Sequence, residues 1–172
     1  MKKKTLRYSK LHKYPYRKGN LMEVSVEGIR SKKTKKLLAQ AAEFYGGLLL
    51  NKRTANIVNL TINLKRKLDG DAEGYCQYMS QSVGVREFDI EIEKDRPIDE
   101  LLVTLAHEMV HLKQFATREL TSSHVPAHIS RWQGREVNEN LVNYWDLPWE
   151  IEAHGRERGL FYRFTDKVDI YK

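Results

Sequence analysis

Residues 97–116 read PIDELLVTLAHEMVHLKQFA. Pro97 suits the first position of a helix, and Asp99 and Glu100 favour its positive end. Leu102, Leu105, Met109 and Leu112 recur at the spacing of a buried stripe, so a long helix packed inside the molecule is predicted. Within it lies HEMVH, residues 107–111. Positions four apart share a helix face, so His107 and His111 can aim both imidazoles at one ion with Glu108 beside it. Random ordering of a chain with 6 His and 15 Glu yields about 0.02 HExxH motifs, which makes chance a poor account of it. The plain alternative is a helix whose two histidines only pack or meet solvent; the start signal and the apolar stripe in register weigh against it.

Around this helix the chain alternates element types. From Thr34 to Leu50, Leu37, Ala41, Phe44 and Leu48 stand at helical spacing, with Gly46-Gly47 expected to end or loosen the helix. ANIVNLTINLKRKL (55–68) alternates, and GYCQYMSQS (74–82), with Tyr75, Cys76, Tyr78 and Met79, and VREFDIEIE (85–93), with Val85, Phe88, Ile90 and Ile92, follow, Asp69-Gly70 and Val83-Gly84 lying between them. About three strands in a small, mostly antiparallel sheet follow from that pattern. After the polar loop TSSHVPAH (121–128), RWQGREV (131–137) reads as one short strand, and Asp146 and Pro148 open a further helix. The order is α+β, with one domain over 21–172 packed around the HEMVH helix and closed by a C-terminal helix.

At 172 residues and 41% apolar content the chain can bury one sizeable core. The single cysteine, Cys76, excludes an internal disulfide and a multi-thiolate zinc site, leaving His and carboxylate ligands and suiting a reducing compartment. No run approaches the roughly 18 apolar residues of a membrane span, and no apolar segment follows the basic start MKKKTLRYSK. The expectation is a soluble protein with no membrane partner, located in the cytoplasm, or in the host cytoplasm if phage-encoded. Residues 1–36 hold 13 Lys/Arg against 2 Asp/Glu, net +11, leaving 17 against 21, net −4, so the +7 total is an N-terminal property. Residues 1–20 mix these cations with Tyr8, Tyr14 and Tyr16, and Pro15 and Gly19 break regular structure. They read as a flexible basic arm, suited to DNA or RNA through phosphate contacts and stacking, or else a solvated tail.

Zinc held by three protein ligands keeps a fourth position for water and brings its pKa toward about 7. Glu108 would take the proton and pass it to the leaving amine, so a peptide bond is hydrolysed with one Zn2+ per chain and no covalent intermediate. For the third ligand, Glu150, Glu152 and His154 cluster in WDLPWEIEAH (145–154); the plain readings of Glu150 and His154 are a helix-start carboxylate and a surface histidine. Gln114, one turn beyond His111, either supports the site or is an exposed helix glutamine. Trp132, Tyr144, Trp145 and Trp149 can line a peptide cleft, core packing being the plain fate of at least two. RWQGREV, if an edge strand, could pair with an extended substrate. Tyr144, His128 and His154 are the available oxyanion donors.

HEMVHLKQ, followed by RWQGRE and then YWDLPWEIEA, resembles the SprT-like and gluzincin-type zinc metallopeptidases, particularly small phage and bacterial members, over residues 97–157. The resemblance implies a zincin-like fold and peptidase activity. In gluzincins the third ligand is a glutamate on a later helix, often followed by alanine, which matches Glu152-Ala153. SprT proteins use a downstream histidine instead, which leaves His124 and His128 as alternatives. The SprT-like family includes proteases acting on proteins attached to DNA, which favours nucleic-acid-associated substrates and a nucleic-acid role for the arm. Two rival functions stand beside this one. A metal-dependent amidase of cell-wall peptides would use the same chemistry, and a non-enzymatic nucleic-acid-binding protein could keep the fold, although the intact Glu108 argues against the latter.

Overall fold

The computed structural model describes residues 22–70, 72–82, 85–122 and 128–171; the arm expected over 1–20 and His124 lie outside them. The Ser31 side chain accepts from the Thr34 amide and starts α1 (Lys32–Leu49), which runs through Gly46-Gly47 instead of ending there. α1 joins two neighbouring strands, β1 (Glu23–Glu27) and β2 (Val58–Lys65), by way of the single-turn α2 (Lys52–Ala55). A helical crossover between adjacent strands makes them parallel, and β1 pairs with β2 from Glu23↔Asn59 to Glu27↔Asn63. β1, five residues with no fully buried side chain, gives little sequence signal.

β2 alternates, burying Val58, Leu60, Ile62 and Leu64. The chain then runs out to the sheet edge as β3 (Gly74–Ser82) and returns as β4 (Val85–Glu93), inserted between β2 and β3 in the order β1-β2-β4-β3. β4 is parallel to β2 and antiparallel to β3. The expected mostly antiparallel meander is therefore corrected to a mixed sheet: the α1 crossover and the skipped position beside β2 produce two parallel pairs.

One face of this sheet is apolar and covered by α1 and by α3 (Ile98–Ala116), whose Leu102, Leu105, Met109 and Leu112 are fully buried. Polar cross-strand pairs line the other face, with Ser25 on Thr61, Asn63 on Asp89 and Lys65 on Glu91. α4 (Pro148–Thr165) closes the core, its Phe164 ring lying 5.6 Å from Phe44 and 5.8 Å from Tyr45. Beyond α3, β5 (Leu120–Ser122), β6 (Ile129–Trp132) and β7 (Arg135–Asn138) form a small antiparallel sheet. RWQGREV, expected as one strand, is a hairpin, because Gln133 (φ 49°) and Gly134 (φ 82°) make the left-handed two-residue turn that fits strand twist. Leu120, Leu147 and Trp149 form a second small core there. Among the described residues no helix is long and apolar enough to cross a membrane.

Two glycines at positive φ separate backbone strain from collision. Gly134 faces open space, whereas a Cβ on Gly28 (φ 77°) would stand 2.1 Å from the Leu64 carbonyl oxygen. Gly134→Ala is expected to cost about 1–2 kcal/mol, and Gly28→Ala at least about 3 kcal/mol because β2 must also shift. Urea unfolding midpoints compare the two, and equal losses would contradict this account.

Candidate metal centre

α3 and α4 cross in opposite directions, since Gln114 reaches the Trp149 carbonyl while His107 reaches Glu157. Trp149, Ala153, Leu160 and Phe164 are the buried stripe of α4. At about 100° per residue, Glu150 and Glu157 (i, i+7) fall on one flank of that stripe, and Glu152 and Arg156 (i, i+4) on the other.

The first flank meets the HEMVH histidines. His107 Nε2 and His111 Nε2 are 3.1 Å apart, and Glu150 Oε2 lies 3.4 Å from the former and 3.5 Å from the latter. Ligand atoms bound tetrahedrally at about 2.0–2.1 Å stand roughly 3.3 Å from each other, so this triangle has the dimensions of three ligands around one small cation. The remaining ring nitrogens are held from behind. His107 Nδ1 donates to Glu157 Oε2 at 2.9 Å, and His111 Nδ1 to Gln114 Oε1 at 2.8 Å. Gln114 is oriented by its own amide, which donates to the Trp149 carbonyl and to Glu152. Both acceptors are oxygens, so each imidazole, once neutral, keeps its proton at Nδ1 and has its Nε2 lone pair free for the triangle. The donor set fits a divalent ion of the zinc type.

Electrostatics agree with a cation there. Burial works against a charged His107, yet hydrogen bonding with Glu150 and Glu157 and the nearby Glu108 raise its pKa from 6.5 to about 9. Burial likewise opposes the Glu150 charge, but His107, His111 and Tyr144 hold its carboxyl well below the usual range, the Tyr144 hydroxyl donating to Oε2 at 2.7 Å. Glu108, buried beside the pair, is pushed up to about 7 by burial against the pull of His111 and His107. Its carboxylate nests on β3, where a Cβ at Gly74 would come within 2.8 Å of Oε1.

Of the residues expected from sequence, His107, Glu108 and His111 are brought together, and Glu152 is not among them. Glu152 accepts from Lys113, Gln114 and Arg156 at 2.9, 3.1 and 2.8 Å on the far flank of α4, and Glu150 stands where it was expected. The reason is geometric: residues two apart in a helix diverge by about 200°, so only one of the two glutamates can face α3. His128 is exposed at the start of β6, outside the cleft lining. Gln114 is fully buried, not an exposed helix residue. Trp149 is buried and lines the cleft, Trp132 packs in the small core, and Trp145 stays 67% exposed over His154. Sequence reasoning missed the supporting role of Glu157. Its signal was present in the spacing of Glu150, His154 and Glu157, which share one flank of a helix. His154 Nδ1 lies 3.2 Å from Glu157, and its buried Nε2 has no hydrogen-bond partner among the described residues. His107, His154 and Glu157 form a second group that could hold an ion, but there Nδ1 of His107 already donates to Glu157.

The centre opens into a cleft of about 840 Å³ between β3 and α4, walled by Gly74, Cys76, Val103, Phe115, Leu120 and Trp145 among others. Comparison with protein-family models, curated proteins and solved structures finds no match to this chain.

Glu150→Ala is expected to lose bound divalent ion, Glu152→Ala to retain it, and Glu157→Gln to bind it about 10–100-fold more weakly. Elemental analysis and chelator competition read this, and retention in Glu150→Ala with loss in Glu152→Ala would reverse the assignment. Ion uptake is also expected to release protons. The ion binds neutral imidazole, and a His107 pKa of about 9 leaves that ring protonated at pH 7. Apparent affinity should therefore rise roughly tenfold per pH unit up to about pH 9, with at least one proton released per ion in titration calorimetry across buffers.

Proposed function

We propose that this chain is a zinc-dependent metallopeptidase of zincin-like fold, acting on protein or peptide substrates, with His107, His111 and Glu150 as ligands and Glu108 as general base. The observation that carries the reading is the ligand-sized triangle of two Nε2 atoms and a carboxylate oxygen beside a buried carboxylate, inside a cleft. A zinc ion held there supplies a Lewis acid that acidifies water and polarises a carbonyl.

The chain's own residues do the rest. Glu108, buried beside the triangle, takes a proton from the attacking water and returns it to the leaving nitrogen. Glu157 and Gln114 keep both imidazoles in the ligating tautomer. β3, an edge strand among the described residues whose first residues line the cleft, could pair through its main chain with an extended peptide, a role anticipated for the RWQGREV segment. The Tyr144 hydroxyl at the cleft wall gives its one proton to Glu150, so it would serve a developing oxyanion only by leaving that carboxylate.

Glu108→Gln is expected to keep its ion while hydrolysis of an unfolded protein substrate falls by roughly 10²–10⁴. Product analysis by mass spectrometry measures the cleavage. A Glu108→Gln protein that cleaves at the parental rate would sink the mechanism.

A further inference from the structure

Parallel pairing of β1 with β2 brings two basic runs, far apart in sequence, to one end of the main sheet. Arg30, Lys32, Lys33, Lys35 and Lys36 lie just after β1 and at the start of α1, while Lys65, Arg66 and Lys67 close β2. The close approach of Gly28 to the Leu64 backbone joins these two ends. Lys94 follows β4 at the same end, its amide donating to the Lys65 carbonyl at 2.8 Å. Lys65 is paired with Glu91 at 3.2 Å. The other eight cations have no ion-paired carboxylate among the described residues. Nearby Arg96 differs, being tied to Glu73, Glu93 and Glu100.

This distribution opposes folding stability. The first turn of α1 has no acidic residue, so four lysines crowd the positive end of a helix and repel one another at i, i+3 and i+4. Glu27, Asp69 and Asp95 stand at the same end, but the nine cations outnumber them, and a surface left with that excess complements a polyanion. We propose that this end of the sheet binds nucleic acid through its phosphodiester backbone, independently of residues 1–20. Exposed lysines acting as point charges suit phosphate contact over base readout. β3 starts at this same end, Gly74 lying opposite Ile92, and its first residues line the cleft. Three strand spacings, about 14 Å, separate β1 from β3. If the peptidase reading holds, protein carried on bound nucleic acid is presented near that cleft; the binding itself does not depend on that reading.

The test uses the full chain and fluorescence anisotropy with a labelled duplex of about 25 base pairs, and its single strand, over a NaCl series. K32Q/K33Q/K36Q and R66Q/K67Q sit on separate elements, so a folding defect in one leaves the other to decide. Each is expected to bind roughly tenfold or more weakly, with a salt slope reduced by about 0.9 for every phosphate no longer neutralised, while ion content stays parental. Parental binding by a folded variant overturns the proposal and assigns binding to the arm. Absent binding by the parent, or tighter binding to phosphatidylserine vesicles than to either nucleic acid, overturns it as well.

Discussion

Burying two imidazoles on one face of α3 imposes a demand that apolar packing cannot meet. Each ring has two nitrogens, and an unpartnered buried polar atom is costly. α4 meets the demand for His107 through Glu157, and Gln114, itself locked by the Trp149 carbonyl, meets it for His111. The angle and register of the two helices follow from these bonds as much as from Leu160 and Phe164. With the outer nitrogens engaged, the inner ones have nowhere to point except toward each other and Glu150. The metal-sized triangle is thus a consequence of how the α3–α4 interface is satisfied.

That interface concentrates negative charge. Glu108, Glu150 and Glu157 surround two imidazoles, and His107 is held protonated between the last two. A divalent ion in place of that proton would balance the carboxylates more fully, which couples ion binding to the stability of the α3–α4 packing. The sheet contributes at its edge. Gly74 leaves room for the Glu108 carboxylate, so the backbone of β3 and this side chain are fitted to one another.

Charge elsewhere is segregated in the opposite sense. The solvent face of the sheet mixes signs in cross-strand pairs such as Lys65 with Glu91, whereas the end where β1 and β2 finish is left basic. The mixed topology makes both features: parallel β1 and β2 end together, and antiparallel β3 begins beside the point where β4 ends.

Local pattern was enough to establish the three long helices, β2 to β4, and the HEMVH face, because periodicity, caps and turn residues act over a few positions. It placed His107, Glu108 and His111 together from spacing alone. The third member of the triangle was decided by tertiary structure: Glu150 and Glu152 are equivalent in a local reading, and only the docking of Trp149, Ala153, Leu160 and Phe164 turns one toward the histidines and the other toward Lys113. β1 shows the same limit. Its five residues, three exposed and two half-buried, say little alone, yet their pairing with β2 makes the sheet mixed and gathers Arg30–Lys36 with Lys65–Lys67. Strand partners and helix facing arise from contacts between residues distant in the chain, and no short window of sequence contains them.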